Sequence, residues 1–487
     1  MFLLNLCTIL NKSKIDKCND LYNQFSEILS YFLSLNNFVI FTLLLFWSLI
    51  IIVFKNYNSK FSIYIHLFII LIIYLSIISQ FPVMVPWVDD WEWIENLYTN
   101  EMSTIKWFFE KTNIHFIVIP KLIFFIVVNF LNSNFYLISL FSVFLIFLSS
   151  QLIIIRHSKS NYPLQIIILL LLFSPKIFPN ISQFCNSAWF ISLFFIAVIN
   201  FSIHSQNKYL IALNTFLIFI SPFNFGLTYS IPIFIITFIF FLDLKISIKW
   251  IYFLTSILSI CLTFYLTSIS ALPNDENAFN FHFFDLFKKI IIFFGVLANI
   301  YVPWTESFKY IAFSIGLIQF LVIVYTLIKS LNSYLIKNQI LLFIQQNHLI
   351  LYGLIFSFLI MISRNDYQTV VASRYAIGSI IFQLGFFIYI LKYLSLVNTK
   401  IYKIVNFFVF FNLISFLLPY QGFHWQIDRF IKSQSIIDCY QNNSQENCNI
   451  ESYKILFYDG DWFDYGKFTK IVNVMINKKI KAFEKFD

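Results

Sequence analysis

Apolar runs long enough to cross a lipid bilayer recur along almost the whole chain. Each covers roughly 17–22 residues, which at a rise of 1.5 Å per residue spans the ~30 Å hydrocarbon layer. The pattern predicts an all-α, polytopic integral membrane protein of about 12 transmembrane helices, within a range of roughly 11–14. The predicted spans lie near 38–54, 61–80, 135–155, 163–178, 188–203, 208–222, 226–242, 250–270, 308–329, 345–363, 376–396 and 402–420.

Two further apolar runs are ambiguous because they contain lysine. Lys121 interrupts the run 116–131, and Lys288 and Lys289 lie near the start of the run 286–302. A charge at mid-bilayer costs about 2.5–3.5 kcal/mol on insertion scales, whereas a charge at the interface avoids most of that cost. Both runs are therefore predicted to be interfacial or half-inserted helices on the outer face.

The basic residues between the spans favour the same arrangement. The positive-inside rule places loops rich in Lys and Arg in the cytoplasm. If both ambiguous runs stay on the outer face, the loops that carry most basic residues all fall on one side. If both runs cross, the middle group of basic residues moves outside. That middle group is Arg156, Lys159, Lys208, Lys245 and Lys249.

Acidic residues are concentrated on the side predicted to be outside. Twenty of the 24 Asp and Glu residues fall there, which the positive-inside rule by itself does not require. The sequence therefore divides into an N-terminal segment 1–37, a multi-span membrane domain 38–420 and a small extracytoplasmic tail 421–487. Within the membrane domain, an acidic outer loop covers 81–114.

The composition excludes a water-soluble globular protein. The chain is 59% hydrophobic and 12% charged, with a mean hydropathy of +0.77, whereas soluble domains contain about 25% charged residues. The net charge of +9 does not indicate nucleic-acid binding, because the basic residues are scattered between apolar runs. In a polytopic protein such residues report topology instead.

The first outer loop contains the strongest candidate for chemistry. Asp89 and Asp90 follow the end of an apolar run directly, and Trp91 comes next among other aromatic residues. A carboxylate pair there could serve as a general base or bind a divalent cation such as Mg or Mn, with Trp91 stacking on a sugar. The alternative is an aromatic belt and a solvated acidic start of a surface helix.

Polar residues of two further outer segments are candidates for substrate binding. His115 and Lys121 lie at the start of the run 116–131, and Asn180 and Gln183 lie in the loop that precedes the span 188–203. Amide side chains can hydrogen-bond sugar hydroxyls. The same residue types are also ordinary in loops and at helix starts, so a structural role remains open for each.

A late outer loop offers positive charge. Arg364, Arg374 and Tyr375 flank this loop. Arg364 and Arg374 are the only arginines predicted to lie outside before the tail. The planar guanidinium binds phosphate in a bidentate manner, so the pair could hold a lipid phosphate. The alternative is interfacial snorkelling of long side chains.

The tail contains the only plausible disulfide pair. Cys439 and Cys448 lie apart from the apolar runs, in a polar region predicted to be extracytoplasmic. Disulfides persist in such oxidising environments. The tail is therefore expected to form a small outer cap closed by this bond.

Taken together, these features resemble the GT-C superfamily of membrane glycosyltransferases, which use polyprenyl-phosphate-linked sugars. The likeness covers roughly residues 80–395 and is nearest to bacterial members related to protein mannosyltransferases and aminoarabinose transferases. Where related sequences often have Asn-Glu-His-Arg, this chain has Ile114 and Phe116 in place of Glu and Arg. The features that carry the likeness are Asp89-Asp90-Trp91, Asn113 with His115, Pro120 and Lys121, the segment 175–189, Gly226-Leu227 with Pro232, and Ser373-Arg374-Tyr375.

The resemblance implies an active site on the extracytoplasmic side, with the catalytic carboxylate in the first outer loop. Asp89 or Asp90 would then be the base for an acceptor hydroxyl, and Arg374 would hold the departing phosphate. A Mg or Mn ion held by the two carboxylates could assist. Attack opposite the leaving group implies inversion at the sugar carbon.

The function expected from these features is sugar transfer from a polyprenyl-phosphate donor to a cell-surface glycan, lipid or protein, in the plasma (inner) membrane of a bacterium. A multi-span transporter or a lipid or glycan flippase is an alternative, although no internal repeat is evident and charges concentrate in outer loops rather than at mid-membrane. A glycan polymerase or ligase of another membrane family and a noncatalytic scaffold are further alternatives.

Overall fold

Every regular element that the computed structural model describes is helical, and no strand occurs in those residues. The all-α prediction is therefore confirmed for this part of the chain. The predicted spans 38–54 and 402–420 and the segment 1–37 lie outside it. The described residues are 60–87, 90–99, 103–110, 116–158, 162–174, 177–224, 226–269, 283–295, 306–331, 343–363, 376–394, 423–457 and 464–477.

The described residues form eighteen α-helices. In chain order they are α1 (Lys60–Gln80), α2 (Asp90–Thr99), α3 (Thr104–Phe109), α4 (Val118–Phe130), α5 (Tyr136–His157), α6 (Tyr162–Leu172), α7 (Phe178–Ile181), α8 (Phe184–Ser202), α9 (Lys208–Ile220), α10 (Ser230–Phe238), α11 (Ile246–Ile269), α12 (Phe283–Gly295), α13 (Glu306–Leu331), α14 (His348–Ser363), α15 (Ala376–Leu394), α16 (Phe423–Asn442), α17 (Gln445–Phe457) and α18 (Tyr465–Asn477).

Capping residues in the sequence set several helix starts. Ser103 accepts the backbone N–H of Lys106 at 3.4 Å at the start of α3, and Asn207 accepts that of Tyr209 at 2.9 Å at the start of α9. Short polar side chains satisfy N–H groups that have no partner within the first turn. These helices therefore begin where the local sequence provides a cap.

Three helices of the described residues are long and apolar enough to cross a membrane, judged by length and composition alone. They are Tyr136–His157, Phe184–Ser202 and Ile246–Leu266. Other helices contribute apolar stretches of 10–17 described residues, among them Tyr64–Gln80, His348–Met361 and Ile377–Leu391. The coarse prediction of an apolar helical bundle is therefore confirmed there, whereas the number of membrane crossings stays a prediction.

Contacts between the helices define two ends of the bundle. The side chains of His157 and Asn200, at the ends of α5 and α8, lie 2.8 Å apart, and Phe135 and Phe184, at their starts, pack with ring centroids 5.9 Å apart. The two helices therefore run in the same direction. Asp90, which follows α1, hydrogen-bonds to the start of α8. We call this the Asp90 end.

The opposite end of the bundle collects the ends of α5 and α8 and the start of α14. The His204 ring, just beyond α8, stacks on the His348 ring that begins α14, with centroids 5.3 Å apart. We call this the His348 end. Arg156, Lys208 and Lys245 lie at or next to this end.

The first ambiguous run, 116–131, stays at the Asp90 end. Phe124 of α4 packs against Phe184, the first residue of α8, with centroids 4.8 Å apart, and against Phe135, which precedes α5, at 6.2 Å. The chain between α1 and α5 therefore begins and finishes at one end of the bundle.

The second ambiguous run, 286–302, behaves differently in its described part. In α12, Phe287 packs against Phe320 with centroids 5.5 Å apart, and the Ile291 carbonyl faces Gly316. The helix therefore lies antiparallel along α13. Its end is buried, since Ser379 donates to the Phe293 carbonyl at 2.9 Å. The described part of this run is therefore packed among the helices of the bundle, and its placement as an interfacial or half-inserted helix stays a prediction.

Glycine allows α14 and α15 to approach at backbone distance. A Cβ atom on Gly353 would lie 2.6–2.9 Å from the Cβ, Cα and N atoms of Phe382. Gly385 of α15 faces the Ile350 backbone in the same way. In membrane bundles, small residues at helix contacts allow such close packing. This packing matters there because lipid tails are as apolar as the side chains, so burial of apolar surface alone does not hold the helices together.

Gly353→Ala is expected to lower the midpoint of thermal unfolding, because the new methyl group meets backbone atoms that cannot rotate away. Overpacking of this kind costs about 1–3 kcal/mol. Gly466→Ala is the matched control: Gly466 lies exposed in α18, and its nearest added contact is the Asp464 Oδ1 atom at 3.1 Å. Unfolding of the purified protein in detergent measures both, and equal midpoints would contradict the contact.

The described residues contain two apolar cores. The larger core lies inside the bundle. The smaller one joins the first outer loop to the tail, and its largest side chains are Trp87, Trp91, Trp93 and Trp107. The helices α16, α17 and α18, which we call the cap, supply the other half of this smaller core.

Candidate functional site at the start of α8

Asp90 is fully buried and is bound to the start of α8. Its Oδ2 accepts the backbone N–H of Phe184 at 3.2 Å, and its Oδ1 accepts that of Cys185 at 3.1 Å. These N–H groups lie in the first turn of α8, where the helix leaves donors without internal partners and carries partial positive charge. Asp90 therefore joins the start of α2 to the start of α8 and provides acceptors for two of these N–H groups.

Arg429 of the cap reaches the same helix start. Its Nη1 donates to the Ser182 hydroxyl at 2.8 Å, two residues before α8. The guanidinium also lies over the Trp87 ring, 5.4 Å from its centroid. Such a cation–π contact, with the hydrogen bond, holds the segment just before the acidic pair against both α8 and the cap.

Two further bonds fasten α16 to the chain that leaves α1. The Gln426 amide donates to the Phe81 carbonyl at 2.8 Å, and the Met84 N–H donates to the Ser433 hydroxyl at 3.3 Å. The loop that leads from α1 to Asp90 is thus held on one side by the cap.

Asn180 and Gln183 are brought to this site, as the sequence predicted for an outer segment, but they are buried. Asn180 is 2% exposed and lies in α7, and Gln183 is 9% exposed and is the N-cap residue of α8. Gln183 accepts a hydrogen bond from the Asn186 side chain, and its carbonyl accepts the Ser187 N–H at 3.1 Å. Gln183 therefore helps to form the helix start.

Trp91 is internal and forms part of the smaller core. Its indole N–H donates to the Pro86 carbonyl at 2.9 Å, and its ring packs against Phe468 and Phe457 with centroids 5.0 and 6.3 Å away. The prediction that Trp91 stacks on a sugar is not supported by this placement, because no face of the ring is open. The aromatic side chain joins the acidic loop to the cap instead.

Lys121 is buried in α4 and caps the end of α3. Its ammonium donates to the carbonyls of Trp107 and Glu110, both at 2.8 Å, and lies 5.3 Å from the centroid of the Trp107 ring. Burial lowers the pKa of Lys121 to about 8, against a smaller opposing effect of the Glu110 carboxylate. A cation there satisfies carbonyls at the helix end, so its direct use in substrate binding is not supported.

The cap contains a disulfide between Cys439 of α16 and Cys448 of α17, with Cα atoms 5.6 Å apart. Tyr440 donates to the Asn449 Oδ1 atom at 2.7 Å beside it, and burial raises the pKa of this phenol. The covalent link and the buried hydrogen bond hold α16 and α17 as one unit.

Five of the predicted site residues lie outside the described part of the chain: Asp89, His115, Arg364, Arg374 and Tyr375. Their roles stay predictions. Within the described part, Asp90, Asn180 and Gln183 meet at the start of α8, whereas Lys121 and Trp91 stabilise the elements around it.

Sequence reasoning missed Arg429. It is the only arginine of the tail, and it lies at i−3 from Lys432 on a helix that also contains Gln426 and Ser433. A lone arginine in a mostly polar segment was the available signal. Its contacts depend on the tail folding back over the first loop, which no local pattern in the tail predicts.

The buried Asp90 carboxylate accepts two backbone N–H groups, one on each oxygen. Asp89 lies outside the described residues, so a divalent cation shared by the two carboxylates stays a prediction. Among the described residues, no group of three or more His, Cys, Asp or Glu side chains is placed to hold a metal.

No protein family, curated protein or solved structure matches the chain.

Proposed function

We propose that the protein is a membrane glycosyltransferase. It moves a sugar from a polyprenyl-phosphate donor to a surface glycan, lipid or protein acceptor on the extracytoplasmic face. The observation that supports this proposal most is the position of the acidic pair. Asp90 accepts two backbone N–H groups at the start of α8 and has a structural role. The catalytic role is therefore assigned to its neighbour Asp89.

The proposal includes a chain of about 12 transmembrane helices in the plasma membrane of a bacterium. The distribution of charge between the two ends of the bundle supports this orientation. Arg156, Lys208 and Lys245 lie at or next to the His348 end, whereas the acidic loop and the cap lie at the Asp90 end. By the positive-inside rule, the His348 end is cytoplasmic and the Asp90 end is extracytoplasmic.

The proposed transfer is a single displacement. The Asp89 carboxylate takes the proton of the acceptor hydroxyl while that oxygen attacks the anomeric carbon. The bond from this carbon to the phosphate oxygen breaks, and the lipid phosphate leaves with the electron pair as a stable anion that needs no proton. Attack on the face opposite the leaving group inverts the sugar carbon.

Positive charge must stabilise the departing phosphate. Arg374 is proposed for this role, since a guanidinium matches phosphate oxygens in a bidentate manner. Arg429 is proposed as a positioning residue, because its contacts to Ser182 and Trp87 hold the segment that leads into Asp89. A Mg or Mn ion at the pair remains a prediction of the resemblance, and none of these steps depends on it.

The function is tested by comparing surface glycans of cells that lack the protein with those of complemented cells. The expected result is loss of a terminal or branching sugar without the protein, and accumulation of its polyprenyl-phosphate donor. Accumulation of the donor on the cytoplasmic leaflet, with unchanged transfer in outward-facing membrane preparations, would favour a flippase and contradict the proposal.

The orientation is tested separately with cysteine labelling in a variant that lacks the four cysteines other than the bridged Cys439 and Cys448, namely Cys7, Cys18, Cys185 and Cys261. Ser247→Cys, at the exposed start of α11, is expected to resist an impermeant thiol reagent in intact cells and to react after permeabilisation. Thr104→Cys in α3 is the matched control and is expected to react in intact cells. Labelling of both in intact cells would mean that the run 116–131 crosses the bilayer.

A further inference from the structure

A groove of about 500 Å³ lies on the cap, between α16 and the start of α17. This volume falls within the range of ligand sites, about 300–1,000 Å³. The groove is open to solvent and lies apart from Asp90, whose contacts are with α8. Its lining includes Phe430, Ile431, Gln434, Asp438, Asn442 and Glu451.

The groove follows one face of α16. Phe430, Gln434, Asp438 and Asn442 are spaced four residues apart, so successive side chains lie one turn further along the same face. The stretch from Phe430 to Asn442 rises about 18 Å along the helix. A groove of this length admits an elongated ligand of several units.

The two ends of the groove differ in polarity and in position. At one end, the Phe430 ring packs against Phe81, with centroids 5.6 Å apart, where α1 leaves the bundle. At the other end, Asn442 and Glu451 lie on the exposed side of the cap. The groove therefore leads from the surface of the bundle outward along the cap, from apolar to polar lining.

The charge of the lining identifies the ligand class. Asp438 and Glu451 bring two carboxylates, and Gln434, Ser435 and Asn442 bring hydrogen-bonding groups. In the described part of the chain, no Lys, Arg or His lines the groove. Such a surface repels phosphate and other anions but matches hydroxyl groups together with a protonated amine.

We propose that this groove binds the acceptor as a polyhydroxylated chain with free amino groups, that is, an amino-sugar glycan. The inference that the bound glycan is an acceptor rests on the proposed transferase function. Binding of the glycan to the groove does not depend on transfer. The donor, with its anionic phosphate, is excluded from the groove by the same carboxylates and binds elsewhere.

Binding of two oligosaccharide probes to the purified full-length protein tests this directly. The probes are a trimer of glucosamine, which carries protonated amines, and the same trimer fully N-acetylated, which carries none. Calorimetry in detergent is expected to give at least about tenfold tighter binding of the amine form, a ratio expected to fall as salt is raised.

Variants connect the binding to the groove. The double variant Asp438→Asn with Glu451→Gln is expected to remove the preference for the amine form, whereas Glu446→Gln, on the exposed face of α17 outside the groove, is expected to keep it. Thermal unfolding and an intact disulfide serve to show that the cap is folded in each variant.

The outcomes separate the groove from the transferase proposal. Binding that persists in Asp89→Asn, with loss of transfer there, supports both. Binding without any transfer in the wild type retains the groove and contradicts the transferase. Equal binding of both probes, binding unaffected by the double variant, or no binding of either probe overturns the groove proposal.

Discussion

Asp89→Asn is expected to reduce sugar transfer by at least about 100-fold while leaving the thermal unfolding of the protein unchanged. An amide cannot accept the proton of the acceptor hydroxyl, and general-base catalysis contributes about 10²–10⁴-fold. Single-turnover transfer with purified protein and a polyprenyl-phosphate sugar measures the chemical step, and composition of surface glycans measures it in cells.

Asp90→Asn is the matched variant, because it makes the same change one residue away. An amide retains only one acceptor oxygen, so one of the N–H groups of Phe184 and Cys185 loses its partner. Loss of such a helix cap costs about 0.5–2 kcal/mol. We expect a lower unfolding midpoint and a loss of transfer that follows the loss of folded protein.

The pair of variants gives opposite signatures, which makes the assignment refutable. Normal transfer in Asp89→Asn, with loss of transfer in a normally stable Asp90→Asn, would exchange the two roles. Normal transfer in both variants at normal protein levels would contradict the enzyme assignment altogether.

Trp91→Ala is expected to detach the cap from the first outer loop. The ring is fully buried, and its removal takes away contacts to Phe457 and Phe468 together with a hydrogen bond to Pro86. Truncation of a buried aromatic residue costs about 3–5 kcal/mol. Hydrogen exchange is expected to rise in α2, α17 and α18, while the bundle core keeps its protection.

Limited proteolysis and a double-mutant cycle sharpen this prediction. Trp91→Ala and Phe468→Ala together are expected to destabilise by less than the sum of the two single changes, because both remove the same contact. Glu92→Ala, at the neighbouring exposed position, is the control and is expected to leave the cap resistant. If the losses of stability in the two single variants add up to the loss in the double variant, the two rings do not interact.

The roles of individual outer residues show where sequence reasoning reaches its limit. Trp91 and Lys121 were both predicted to bind substrate, yet both are buried and stabilise neighbouring helices. An exposed and a buried tryptophan look the same in a sequence. The Trp91 ring packs against Phe457 and Phe468 of the cap, which lie more than 300 residues further along the chain.

The second ambiguous helix illustrates the same limit. Lys288 and Lys289 led to the prediction of an interfacial or half-inserted helix for the run 286–302. In the fold, Lys289 pairs with Asp285 at 2.7 Å, and the end of α12 enters the bundle. Pairing one turn apart lowers the cost of placing the lysine beside apolar helices. A sequence pattern reports the charge but not the neighbours that compensate for it.

By itself, the sequence determined the helical class, the approximate helix positions and the segregation of acidic residues, because these follow from local periodicity and composition. It also marked Asp89 and Asp90 as a pair without distinguishing them. Only the tertiary structure committed Asp90 to the start of α8 and brought Arg429 beside Trp87. Both decisions are made by side chains that meet across long stretches of chain, so they depend on how helices pack, and local sequence does not encode that packing.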